Sequence, residues 1–129
     1  MAQREPTPRT SGDDLVYGLY QQGTSRLRGG NFGAAAEVLE LAVEREPEKA
    51  SLHEALGRAY FASARIAKAR MAFERALTID PSDDYAHFGV GRCFEREGRP
   101  AQAAKHYKIA CALADREDYR AALRRVEQR

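Results

Sequence analysis

The side chains in this sequence best suited to ligating a metal or acting as nucleophiles are His53, His87, His106, Cys93 and Cys111. Their spacing argues against both chemistries. Cys93 and Cys111 match no disulfide framework and no ligand pair of characteristic spacing. His53 and His87 are 34 positions apart, which puts them at equivalent places in neighbouring helical units about 8–10 Å apart. Two nitrogens that far apart do not share a metal at about 2.0–2.1 Å each. Inter-helix packing is the reading for both, and His106 has no evident partner in the sequence. There is no Gly-rich phosphate loop and no nucleophile elbow. Catalytic residues, metal ligands and cofactors are therefore expected to be none. What remains is recognition chemistry. Tyr17, Tyr20, Thr24, Leu27 and Arg28 follow one another at steps of 3, 4, 3 and 1, so at about 100° per residue they share one arc of a helix. The same arc recurs as Ser51, Glu54, Arg58, Phe61 and Ala62, and again as Tyr85, Phe88, Arg92, Glu95 and Arg96.

The elements that position these arcs are set by a period of 34. It joins Gly23, Gly57 and Gly91; Ala35, Ala69 and Ala103; Ala42, Ala76 and Ala110; and the bulky set Leu39, Phe73 and Tyr107. Self-similarity at this period is the mark of a stacked helical array. Paired antiparallel helices approach closely where side chains are small, so the Gly and Ala positions mark crossings and the large residues fill the space between them. Helices are expected over 13–28, 31–45, 48–63, 66–79, 82–97 and 100–114, with turns at Gly29-Gly30-Asn31 and Gly98-Arg99-Pro100. Pro47 and Pro81 are placed at the first position of a helix, where a missing N–H costs nothing, with Asp80 as a cap. The period also aligns Cys93 with Ala59 and Cys111 with Leu77, which marks both cysteines as small core residues. In the closing segment Tyr119, Ala122, Leu123 and Val126 share one face, while Arg116, Arg120, Arg124 and Glu127 lie on others. This is the composition of a capping helix.

The stretches Leu56 to Tyr60 (L-G-R-A-Y) and Ala69 to Pro81 (A-R-M-A-F-E-R-A-L-T-I-D-P) resemble the tetratricopeptide repeat pattern almost position for position. The third unit matches through G-R-C-F and A-A-K-H-Y-K-I-A. The first is looser, with Arg26 where the family usually has Tyr and Gln22 where Leu is usual, as suits an end repeat. Asp115 stands where the pattern has proline, so the sixth helix is expected to run on, or to break less sharply, into the last segment. The resemblance implies an all-α solenoid of three antiparallel helix-turn-helix repeats (about 16–49, 50–83 and 84–117) with a seventh, capping helix over about 117–128. A single domain spans 13–129 and a disordered tail covers 1–12.

In the family the recurring arc lines a concave groove. The resemblance thus implies a partner-binding groove carrying Tyr17, Tyr20, Thr24, Arg28, Glu54, Arg58, Phe61, Tyr85, Phe88, Arg92 and Arg96. Aromatics and arginines are the types enriched at binding hot spots. Against Arg28, Arg58, Arg92 and Arg96 stand Glu54 and Glu95, so the groove is net positive. Chaperone-binding members carry a carboxylate clamp of Lys, Asn and Arg. The matching positions here are Tyr20, Thr24, Ala55, Tyr85 and Gly89, and none fits. The expected function is a scaffold or adaptor binding an acidic, apolar segment of a protein or peptide partner. Self-assembly into homo-oligomers is the alternative.

Composition sets the outer bounds. Charged residues make up 31% and the net charge is +2, too small to argue for nucleic acid, and Glu117, Asp118 and Glu127 dilute the arginines of the last segment. No apolar stretch approaches the roughly 20 residues that cross a bilayer. The polar N-terminus has no apolar region that could serve as a secretory signal. A reduced, cytoplasmic setting follows, and the excess of arginine over lysine fits a GC-rich bacterial genome.

Overall fold

A computed structural model describes residues 12–128, and all regular structure among them is helical. The seven helices are α1 (Gly12–Arg28), α2 (Phe32–Arg45), α3 (Ala50–Ala62), α4 (Ile66–Ile79), α5 (Asp84–Arg96), α6 (Pro100–Leu113) and α7 (Glu117–Glu127). Each packs on the next, and α1 also touches α3 as α3 touches α5. Helices α1, α3 and α5 therefore form one continuous wall. The disordered tail expected over 1–12 lies outside the described residues except for Gly12, which is the first residue of α1.

The pairing within each repeat is tighter than a simple alternation of small crossings and large fillers. A Cβ on Gly23 would stand 2.5 Å from Leu39, one on Gly57 2.8 Å from Phe73, and one on Gly91 2.5 Å from Tyr107. The bulky residue of each even helix sits directly on the glycine of its partner. The three turns within repeats are equivalent as well. Gly30, Ala64 and Gly98 all have positive φ, at 82°, 65° and 77°. In the second turn, Ala64 N–H donates to the Phe61 carbonyl (3.0 Å) and Arg65 N–H to Tyr60 (2.8 Å), a Schellman-type closure.

Two helix starts differ from expectation. Pro47 and Pro81 lie in the turns, and α3 and α5 begin at Ala50 and Asp84, not at 48 and 82. Asp83 caps α5, accepting from Ala86 N–H at 3.0 Å. Asp80 instead accepts from the backbone and hydroxyl of Ser82 (3.1 and 2.7 Å) and so shapes the turn. The sixth helix neither runs on nor fades into the seventh. Ala114 is extended (φ −150°, ψ 140°), and α7 folds back to bury Tyr119, Ala122 and Val126. Their burial takes the place of a proline stop.

Phenols tie the stack together. Tyr107 donates to Glu95 (2.8 Å), Tyr119 to Asp84 (2.6 Å) and Tyr60 to Glu40. Burial and the neighbouring carboxylate push the Tyr60 phenol up to about 12. Cys93 is fully buried and burial pushes its thiol up to about 12. Cys111 is half-buried, so only Cys93 takes the core place expected of both.

Candidate binding groove

Six of the arc residues converge on one cavity of about 370 Å³ between α3 and α5: Arg58, Phe61, Ala62, Tyr85, Arg92 and Arg96. The sequence reading missed three lining residues, Phe32, Phe73 and Gly89. Phe73 is almost fully buried and forms the floor. A Cβ on Gly89 would stand 2.6 Å from its ring, so this position has to be glycine. The period singled out Phe73 as a core residue, and one edge of that ring also faces the groove. Nothing in the sequence marked Phe32, which is the first residue of α2.

The arginines lie on aromatic faces. Arg92 is 4.2 Å and Arg96 5.3 Å from the Phe61 ring centre, and Arg58 is 5.7 Å from that of Tyr85. Such stacking leaves the edge of a guanidinium free to donate. Arg58 also pairs with Glu54 at 3.7 Å. Burial, reinforced by Asp83, pushes Glu54 up to about 7 against the pull of Arg58. Asp83 is itself raised, with burial the largest cause. Glu95 is held from the far side. Arg125 of α7 grips it through two bonds of 2.7 and 2.8 Å, and Tyr107 adds a third. Arg125 reaches a smaller cavity beside the first, lined with it by Phe61, Arg92, Glu95 and Arg96.

The other predicted residues lie elsewhere. Tyr17 and Tyr20 line a separate cavity of about 210 Å³ with Lys49, Ser51 and Leu52. Thr24 turns its hydroxyl back to the Tyr20 carbonyl (3.0 Å), and Arg28 is exposed at the end of α1. Neither lines these cavities. Phe88 is in the core, 8% exposed, with its ring 4.8 Å from Tyr119 and 5.6 Å from Tyr107. It falls within the arc, but α7 covers that edge of α5.

His53 and His87 bond equivalently through Nε2, to the carbonyls of Pro47 (2.8 Å) and Pro81 (3.0 Å). His106 does have a partner, since its Nδ1 lies 3.3 Å from Nδ1 of His87. Among the described residues no group of three or more His, Cys, Asp or Glu could hold a metal ion, and no helix is long and apolar enough to cross a membrane.

Comparison with known proteins follows the same lines. A family model described as tetratricopeptide repeat matches residues 20–84 and again 65–115. No curated protein matches the sequence. Among solved structures, the Arabidopsis OM64 TPR domain superposes with a TM-score of 0.88 at 17% identity, covering 92% of this chain and 98% of that one. The Yersinia enterocolitica type III secretion chaperone SycD, solved in complex with a peptide of the translocator YopD, gives 0.83 at 15% identity, covering 95% and 98%. The first TPR of Spaghetti (RPAP3), bound to the HSP90 peptide SRMEEVD, gives 0.84 at 19% identity, covering 88% and 90%. At these identities the likeness concerns the fold alone.

Proposed function

The chain belongs to the tetratricopeptide repeat family, and from that premise we propose that it is an interaction scaffold whose α1–α3–α5 wall binds an acidic, apolar segment of a partner protein. The observation that carries this reading is the α3–α5 cavity, floored by Phe73 and rimmed by Arg58, Arg92 and Arg96. An apolar side chain loses water against the ring, and a carboxylate beside it meets guanidinium donors. Two of the similar structures are complexes with peptides, which supports a peptide-sized ligand. The five clamp positions hold Tyr20, Thr24, Ala55, Tyr85 and Gly89, so recognition does not run through that device. The free thiols of Cys93 and Cys111 support a reducing, cytoplasmic setting.

The test is fluorescence polarisation with labelled peptides of apolar-acidic, apolar-basic and scrambled polar composition. The acidic set is expected to bind tightest, and Tyr20→Ala and Arg58→Glu to weaken it by about tenfold, or 1.4 kcal/mol. Unchanged affinity in both variants removes the groove from the account.

A second reading, self-assembly, is favoured by the exposed Leu15, Leu41, Met71, Ile109 and Leu113, since apolar surface of this kind marks interfaces. Light scattering across a dilution series separates the two. A mass that stays at 14.4 kDa ends the self-assembly reading.

A further inference from the structure

The arginines of the groove are not equally available to a ligand. Arg58 has Glu54 at 3.7 Å. Arg92 and Arg96 pair with no carboxylate among the described residues, and both stack on the one ring of Phe61. The acid best placed to quench them is Glu95, three positions from Arg92 and adjacent to Arg96, within the reach of an i,i+3 helix pair. It is drawn the other way. Arg125, from the closing helix, takes both of its oxygens at 2.7–2.8 Å, and the buried Tyr107 donates to Oε1. A two-pronged arginine–carboxylate bond of this length is among the stronger polar contacts in proteins.

We propose that Arg92 and Arg96 form a receptor for a partner carboxylate next to a large apolar side chain, and that α7 keeps it vacant by holding Glu95 on Arg125. The inference rests on the groove reading above and specifies its chemistry. The geometry favours a carboxylate over a phosphate, because Glu54 and Glu95 border the same wall and oppose a second negative charge more than a first. Arg125 is here a positioning residue, acting on the ligand through Glu95.

The test uses the full chain, isotope-labelled, titrated by NMR with the capped tripeptide acetyl-Glu-Phe-Glu-amide. Its neutral copy acetyl-Gln-Phe-Gln-amide and inorganic phosphate are run alongside. Saturable shifts are expected at Phe61, Arg92 and Arg96 with the acidic peptide, at least about tenfold weaker binding of the neutral one, and a comparable loss in Arg92→Gln or Arg96→Gln. Arg125→Ala should weaken the acidic peptide several-fold by releasing Glu95 onto Arg92. The double variant Arg125→Ala/Glu95→Gln should restore it, which simple loss of structure would not. Equal binding of acidic and neutral peptides at these residues overturns the receptor and leaves the groove standing. Shifts confined to other surfaces overturn both, as does the absence of any shift. Phosphate binding tighter than the peptide overturns the choice of carboxylate, and a loss in Arg125→Ala that the double variant fails to restore overturns the role of α7.

Discussion

The ring of Phe73 lies between two glycines, with a Cβ on Gly57 and one on Gly89 placed 2.8 and 2.6 Å from it. Neither approach can be relieved by a flexible chain end, because the ring is core and forms the floor of the groove. Gly57→Ala and Gly89→Ala should each cost about 1–3 kcal/mol by overpacking. At Gly18, also inside a helix but with nothing within 4 Å of an added Cβ, alanine should instead gain about 0.5–1 kcal/mol. Urea denaturation of the three variants checks the contrast, and a uniform sign would refute it. The same contact bears on specificity. Gly89 is where clamp-bearing relatives carry a cation, and Phe73 leaves no room for one, so grafting a clamp side chain there should unfold the repeat before it creates a site. Ala64 holds a φ of 65° where the other two repeats have glycine. The left-handed region costs a non-glycine residue about 1–2 kcal/mol, offset in part by the extra freedom glycine loses on folding. Ala64→Gly should therefore raise stability by about 0.5–1 kcal/mol, read as a higher urea midpoint.

Each later helix completes the one before it, and α7 closes the stack. It contributes Tyr119, fully buried against Phe88, and its phenol donates to Asp84 at the start of α5. Tyr119→Phe removes one hydrogen bond to a charged acceptor and should cost about 1.5–3 kcal/mol. Tyr119→Ala adds a cavity beside Phe88 and should cost about 3–5 kcal/mol. Thermal unfolding of the pair separates the bond from the packing: an unchanged Tyr119→Phe would show that the hydroxyl contributes nothing, and equal losses that the ring packing contributes nothing. The period of 34 was enough to foresee the first six helices and an arc whose Arg58, Phe61, Tyr85, Arg92 and Arg96 do share a cavity, but not that Leu39, Phe73 and Tyr107 sit directly on Gly23, Gly57 and Gly91. A helix period assigns a side chain to a face but does not name the neighbour that covers it. By its face alone Phe88 belongs to the groove, but Tyr119 of α7 lies over it. The grip of Arg125 on Glu95 spans 30 positions and leaves no local trace in the sequence. The same limit misplaced the cap of α5, since Asp80 and Asp83 are both good capping residues and only the turn at Pro81 decides between them.

At the scale of the whole stack, two titrating contacts oppose each other across pH. Glu54 of α3 meets the Asp83 cap of α5, with Asp84 and Arg58 nearby, so a carboxyl pair joins adjacent repeats. Glu54 has its value raised from 4.5 to about 7, chiefly by burial. The folded state therefore binds the extra proton between those values. The contribution is fully present below pH 4.5 and is lost as pH rises through 7. One pKa unit is worth about 1.4 kcal/mol, so the rise from 4.5 to about 7 puts a ceiling of about 3–4 kcal/mol on that loss. His106 works in the other direction. Burial, with the neighbouring His87 and Lys105, lowers it from 6.5, and its Nδ1 faces Nδ1 of His87 at 3.3 Å, a contact that accommodates one proton and not two. Its contribution is present above pH 6.5 and fades as the pH falls below that value. Removing one group should expose the other. In Glu54→Gln the amide still donates to Asp83 but no longer ionises, so the variant should gain on the wild type as pH rises from 4.5 to 7.5. In His106→Asn the loss of stability on acidification below 6.5 should shrink. Urea midpoints at pH 4.5, 6 and 7.5 for the three proteins decide it. If the Glu54→Gln profile runs parallel to the wild type, the joint between α3 and α5 holds its two carboxylates without sharing a proton.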